Sequence, residues 1–207
     1  MYDLYGDRYS GNCYKIQLLL NQLQAPYRWH EINILKGESR RQEFLAMNPN
    51  GRVPLLKLPD GRCVAESNAI LYFLADGSAL LPGDRYERAC VLQWQAFEQY
   101  SHEPYIATSR FIRRYLGNPA EREADLDARS APGYAALKVM DEHLARHDFF
   151  AAQRYTIADI SLSAYTPVAH EGGFDLQAYS NVRTWLTRIN AHADPVLMAS
   201  PPALQAD

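Results

Sequence analysis

Apolar positions change their rhythm part-way along this chain. Ile16, Leu19, Leu20 and Leu23 recur at three- and four-residue spacing, which predicts a helix behind a loop from Gly6 to Gly11, with Leu4 and Tyr5 closing a short strand ahead of it. Ala25-Pro26 ends that helix, and the aromatic and β-branched run Tyr27, Trp29, Ile32 and Ile34 predicts a second strand. After the turn cluster Asn48-Pro49-Asn50-Gly51, the runs Val53 to Leu58 and Arg62 to Ala65 flank Pro59-Asp60-Gly61, the pattern of a β-hairpin. Ser67, read as an N-cap, opens a helix carrying Ile70, Leu71, Phe73 and Leu74. The predicted order is βαβ, loop, ββα.

Beyond residue 76 the pattern is helical only. Asp76-Gly77-Ser78 and Leu81-Pro82-Gly83-Asp84 have linker composition, which divides the chain into an α/β domain over 1–76, a connection over 77–86 and an all-helical domain over 87–207. Helical spacing runs from about Arg85 to Tyr115, where Pro104 should kink or divide it, then over Glu121 to Arg146, Ile157 to Ala169 and Val182 to Ala193. A helical bundle packed on the first domain is the economical arrangement.

Composition narrows the function. A chain of 207 residues, 47% hydrophobic, can bury one large core or two modest ones. Its net charge of -3 comes from intermixed acids and bases, so no basic footprint marks it for nucleic acid or an anionic membrane. The N-terminus lacks a secretory pattern and no apolar stretch approaches the roughly 18 residues of a membrane span, so a cytoplasmic protein is expected. Cys13, Cys63 and Cys90 form no CxxC and no cysteine-histidine cluster; neither a disulfide framework nor a metal site is signalled.

Three places carry candidate chemistry. Tyr9-Ser10-Gly11-Asn12-Cys13 lies where a strand gives way to a helix, and a helix N-terminus offers unsatisfied N–H groups and positive dipole to an anion. A thiolate suits such a place: a free thiol titrates at about 8.5, and a hydroxyl donor plus the dipole enlarges its ionised fraction. Ser10 is the first candidate donor, with Asn12 assisting; Tyr5 ranks second and Tyr9 third, and Ser10 as a plain helix cap stands as the alternative. Arg52-Val53-Pro54-Leu55 opens a strand on a proline; a cis bond there would expose Val53 N–H and C=O to an extended peptide-like ligand, and an ordinary edge-strand proline is the other reading. Glu66-Ser67 could hold an amino-acid head group, Glu66 the ammonium and Ser67 the carboxylate, or simply cap a helix.

In this order and spacing the chain resembles the soluble glutathione transferase superfamily. The segments FLAMNPNGRVPLL (Phe44 to Leu56), ESNAILYFLA (Glu66 to Ala75) and YTIADISLSAY (Tyr155 to Tyr165) carry the resemblance, which spans essentially the whole chain and is closest to bacterial serine-type (theta/phi/nu-like) members. It implies a thioredoxin-like N-terminal domain, an all-helical C-terminal domain and glutathione as co-substrate without a metal. Residue by residue, Ser10 and Asn12 would stabilise the thiolate, Val53 before cis-Pro54 would bind the cysteinyl backbone, and Glu66 and Ser67 would hold the γ-glutamyl end. Arg40 and Arg52 fall near positions used for the glycine carboxylate. Ser39 stands where several relatives carry histidine, and Asn68 where many carry arginine.

In the second domain Thr156-Ile157-Ala158-Asp159 fits a capping box, a folding element whose loss should cost roughly 0.5–2 kcal/mol. Tyr105, Ser109 and Arg113 recur at i, i+4, i+8, with His102 one turn earlier, and could line one helix face of an electrophile site beside the Ser10 loop. His170-Glu171-Gly172-Gly173 lacks metal-ligand spacing and reads as a loop. The expected activity is attack of the glutathione thiolate on a small apolar electrophile, with peroxide or disulfide reduction as the near alternative. A noncatalytic binding module of the same family is the reading from another class. A cysteine-based oxidoreductase is weakened because Ser10 replaces the first cysteine of a CxxC. The resemblance further implies a homodimer, in which Gln99 or His102 of the partner completes the γ-glutamyl site.

Overall fold

The computed structural model describes residues 1–191, which divide into two compact units, Met1–Gly77 and Ser78 onward. In the first, β1 (Tyr2–Gly6), α1 (Gly11–Gln22) and β2 (Tyr27–Glu31) form the βαβ unit, and β3 (Leu55–Lys57), β4 (Cys63–Ala65) and α3 (Ser67–Ala75) follow. The sheet order is β2-β1-β3-β4; β1 pairs parallel with β2 and antiparallel with β3, and β4 is antiparallel to β3. This is the predicted thioredoxin-like layout, with one addition. A 3-10 turn at Glu38–Arg40 and the short helix α2 (Gln42–Leu45) fill the segment between β2 and β3, where polar sequence gave no periodic signal.

The central strand and α1 are locked together at Gly6. A Cβ there would lie 2.6 Å from the Trp29 ring and 2.8 Å from Cys13 Sγ, so the missing side chain is what lets α1 sit on β1. Leu4, Cys13, Ile16, Leu19, Leu55 and Leu56 are wholly buried around that junction. Gly6→Ala should therefore cost about 1–3 kcal/mol through overpacking, seen as a lower urea midpoint with an unchanged slope. An unaltered midpoint would show that the junction can dilate freely.

Residues 78–84 do not behave as a free linker. Leu81 and Pro82 are buried, and Leu80 C=O accepts from Ile157 N–H at 3.0 Å, so this stretch belongs to the helical unit. There α4 (Arg85–Phe97) is capped by Asp84, whose carboxylate accepts from Glu87 N–H at 2.9 Å. It continues through widened π-type turns at Glu98–His102 into α5 (Glu103–Arg110), and further wide turns at Phe111–Tyr115 follow. Pro104 thus interrupts the regular ladder without ending the helix, because it falls in the first turn of α5, where its missing N–H is not needed.

The remaining helices are α6 (Glu123–Leu144), α7 (Ile157–Ser163) and α8 (Ser180–Asn190). α7 stops six residues before the expected Ala169, and the chain turns through a 3-10 segment at Ala169–Gly172 instead. The expected end of α8 at Ala193 lies outside the described residues.

Candidate functional site

Ser10 occupies the N-cap of α1 by its backbone: φ -78° and ψ 122° are extended, and its carbonyl accepts from Cys13 N–H at 3.1 Å and Tyr14 N–H at 2.9 Å. Its hydroxyl does not cap the helix. It reaches the Cys13 sulfur instead, so the side chain is held at the mouth of the turn and the plain-cap reading fails for the hydroxyl. The first turn of α1 carries no acidic side chain to oppose an anion. Cys13 itself is fully buried, and burial pushes its thiol up to about 12, outweighing the Ser10 bond that pulls the other way. Burial favours the protonated thiol, which argues against Cys13 as a nucleophile.

Asn12, one residue into α1, is held from two sides. Its Oδ1 accepts from Lys15 Nζ at 2.7 Å and from Ser67 Oγ at 3.2 Å. Ser67 is buried at the first position of α3, one residue later than expected; the N-cap is Glu66, whose backbone adopts φ 68° and ψ 120°. A positive φ at a glutamate is a strained conformation that surrounding structure must impose, and such residues gather at ligand clamps. Here the restraint includes Asn50, whose Nδ2 donates to Glu66 Oε1 at 3.3 Å.

The turn before β3 completes the arrangement. Val53-Pro54 is cis, with Pro54 buried and Val53 half-buried. Buried Asn48 shapes this turn, donating to Arg52 C=O at 2.8 Å and accepting from Asn50 N–H at 3.2 Å. Arg40 Nη1 donates to Asn50 C=O at 2.9 Å, and Gly51 at φ 63° leaves room for that guanidinium, since a Cβ would lie 2.6 Å from Nη1. Arg40, Arg52 and Glu66 are all solvent-exposed. A run of polar groups therefore extends from exposed Arg40 through Asn50 to Glu66 and buried Ser67, then to Asn12 and buried Lys15, with a cation at each end and the Glu66 carboxylate between them.

Of the two rival donors, Tyr5 packs through its ring. The Tyr5 ring stacks on His30 with centroids 4.4 Å apart and meets Phe44 edge-on, and His30 in turn bonds Asp3 at 2.7 Å. Tyr9 N–H donates to Asp7 Oδ1 at 2.9 Å, fixing the loop by its backbone.

The four residues expected to line one face near α5 differ in exposure. His102 has no exposure and shares a 3.1 Å hydrogen bond with Thr166 Oγ1; Ser109 is buried, with a Cβ on Gly172 only 3.4 Å from its own. Tyr105 is half-buried and Arg113 exposed, its guanidinium lying over Gly173. The cause is phase: α5 ends at Arg110, and the wide turns after it rotate Arg113 away from the Tyr105–Ser109 stripe. Gln99 is exposed and donates to Glu103 Oε2 at 3.0 Å.

Lys15, Asn48 and Asn50 were missed from sequence. Asn12 and Lys15 stand at i, i+3, a spacing that makes helix neighbours, and a lysine flanked by Cys13 and Ile16 in an apolar stripe is a signal of a satisfied buried cation.

Residues 9–76 match the N-terminal domain model of glutathione S-transferases and residues 94–193 match the C-terminal one. A solved glutathione S-transferase from Pseudomonas fluorescens is 52% identical with a TM-score of 0.92, covering 96% of this chain and 99% of its own. The chain belongs to the glutathione S-transferase family. A solved possible glutathione S-transferase from Rhodopseudomonas palustris is 46% identical, TM-score 0.91, over 97% of this chain and 99% of its own. Among curated relatives of this transferase-family chain, the disulfide-bond oxidoreductase YfcG of Escherichia coli K12 is 27% identical over 87% of this chain and 86% of its own. No helix among the described residues is long and apolar enough to cross a membrane.

Proposed function

We propose that this chain is a glutathione transferase that activates the glutathione thiolate for attack on a small hydrophobic electrophile. The observation that carries the reading is this run of polar groups: Arg40 and Arg52 offer cations for a glycine carboxylate, and Glu66 with Ser67 offers a carboxylate and a helix-start N–H for a γ-glutamyl head group. Val53, beside the cis bond, would take the cysteinyl backbone as an added strand. The sulfur then falls at the start of α1, where the Ser10 hydroxyl would exchange its bond to Cys13 for one to the ligand sulfur, with the Asn12 amide beside it. The thiolate attacks an electrophilic carbon, its electron pair forming the C–S bond as the leaving group departs with its own. Binding supplies proximity, and the helix start and two donors supply the charge stabilisation. We assign the protein to the cytoplasm as a homodimer on the same footing.

Disulfide reduction is the second reading, favoured by the likeness to the E. coli disulfide-bond oxidoreductase. With Cys13 buried and protonated, it would run on two glutathiones: one thiolate displaces a thiolate from the disulfide, and a second releases the other half as oxidised glutathione.

The deciding experiment is a thiolate-absorbance titration of bound glutathione on the wild type and Ser10→Ala. The wild type should ionise the thiol well below its free value of about 8.5, and Ser10→Ala should hold roughly tenfold less thiolate at pH 7 with glutathione still bound. An unshifted wild-type thiol, or no binding, would favour the noncatalytic module.

A further inference from the structure

Glu31 bonds the loop that carries Ser10 to the second strand. It is the last residue of β2 and stands in register with Gly6, the last residue of β1, where the chain leaves the sheet for the α1 turn. Its carboxylate collects three donors: Oε1 accepts from Arg8 N–H at 3.3 Å, and Oε2 accepts from Arg8 Nε at 3.0 Å and from Trp29 Nε1 at 2.8 Å. Trp29, two residues earlier on the same face of the strand, covers Gly6, where a Cβ would come within 2.6 Å of its ring. Farther along the loop, Tyr9 N–H donates to Asp7 Oδ1 at 2.9 Å and Ser10 N–H to Asp7 C=O at 3.0 Å. The Arg8 and Glu31 side chains are 59% and 36% exposed, so their ion pair contributes little by charge. The bond to Arg8 N–H acts otherwise: it fixes the main chain two residues before Ser10 and so sets where that side chain starts.

We propose that Glu31 is a positioning residue for the Ser10 hydroxyl, holding the α1 turn against the end of β2 so that the hydroxyl meets the glutathione sulfur. This rests on the reading of that turn as a glutathione site. The role runs against the residue's own charge. Beside burial, the charges of Asp7 and Glu31 push the Cys13 thiol upward, so a carboxylate at position 31 also opposes a thiolate at the same turn. Position and charge therefore act with opposite sign, and a neutral side chain separates them: one that keeps an acceptor keeps the loop, and one that lacks it does not.

The test uses thiolate titration of bound glutathione together with the affinity for S-methylglutathione, which has no titrating thiol. Glu31→Met and Glu31→Gln both remove the charge and differ in the acceptor. Glu31→Met should hold roughly three- to tenfold less thiolate at pH 7 while its affinity for S-methylglutathione changes less than about twofold. Glu31→Gln, whose carbonyl can still accept from Arg8 N–H, should hold as much thiolate as the wild type or more. In a Ser10→Ala background Glu31→Met should lower the thiolate no further. Glu31→Ala serves in place of Glu31→Met if that protein does not fold. A Glu31→Met that holds as much thiolate as the wild type or more, an equal loss in Glu31→Met and Glu31→Gln, an equal loss for both ligands, or an undiminished loss in the Ser10→Ala background each overturns the proposal and leaves the glutathione reading intact. An unshifted thiol in the wild type, or no glutathione binding, removes both.

Discussion

Replacing Asp159 with alanine should destabilise the protein by about 3–5 kcal/mol, lowering the melting midpoint by roughly 10 °C. The carboxylate has no exposure and is met by four donors: Thr156 N–H at 2.9 Å, Thr156 Oγ1 at 3.2 Å, Phe150 N–H at 3.2 Å and Trp185 Nε1 at 2.9 Å. The Thr156 N–H bond belongs to the capping box that starts α7, the Thr156 hydroxyl adds a second bond from the same residue, and the other two tie the 150s loop and α8 to it. Alanine leaves all four buried and without that acceptor, and Trp185 is itself fully buried. Differential scanning calorimetry checks this directly. A loss no larger than that of an ordinary exposed cap, roughly 1 kcal/mol, would mean that water or other acceptors replace the carboxylate.

The same group gives stability a pH dependence whose sign can be worked out. Burial raises the Asp159 carboxyl to about 6, the hydrogen bonds from Thr156, Trp185 and Phe150 pulling it down less than desolvation pushes it up. Unfolded, it titrates near 3.9. Between about pH 4 and pH 6 the native state keeps a proton that the unfolded state has released, so this group's contribution falls as pH rises, by at most about 3 kcal/mol. Asp159→Asn removes the titration. The stability gap between wild type and Asp159→Asn should shrink from pH 4 to pH 6 and then level off; a gap that widens would show that the four donors outweigh burial.

Sequence alone reached the capping box but not this hub, because periodicity finds residues close in the chain, whereas Trp185 is 26 positions from Asp159. The same limit applies to the candidate site. Ser10, Asn12, Glu66 and Ser67 could be named as candidates because each stands at a strand-to-helix transition, where orphan N–H groups suit an anion. Asn48 and Asn50 were not, since their work is to shape the turn and to link Arg40 to Glu66 through contacts set by the fold. The uneven exposure of the α5 stripe has a local reason: helical wheels assume regular turns, and wide turns bound α5 on both sides. Cys13 lies on the buried face of α1 with Ile16 and Leu20, in keeping with the absence of a first cysteine at position 10.

The His170-Glu171-Gly172-Gly173 run, read as a loop from its spacing, carries the second large effect. Arg110 and Glu171 pair at 2.6 Å with side-chain exposures of 2% and 10%, and Arg114 approaches the same oxygen at 3.9 Å. Both glycines serve this contact. A Cβ on Gly172 would lie 3.0 Å from Ile106 C=O and 3.1 Å from Arg110 N, so the turn can press against α5, and Gly173 at φ 88° lets the chain leave in the left-handed region. Glu171→Ala would take the paired carboxylate away from a buried guanidinium and should cost about 3–5 kcal/mol. The double variant Glu171→Ala with Arg110→Met should recover most of that loss, because an apolar side chain no longer needs the carboxylate. Urea unfolding of the two single variants and the double closes the cycle. Were Glu171 instead a ligand group, Glu171→Ala would keep its midpoint and lose activity, and Arg110→Met would rescue nothing.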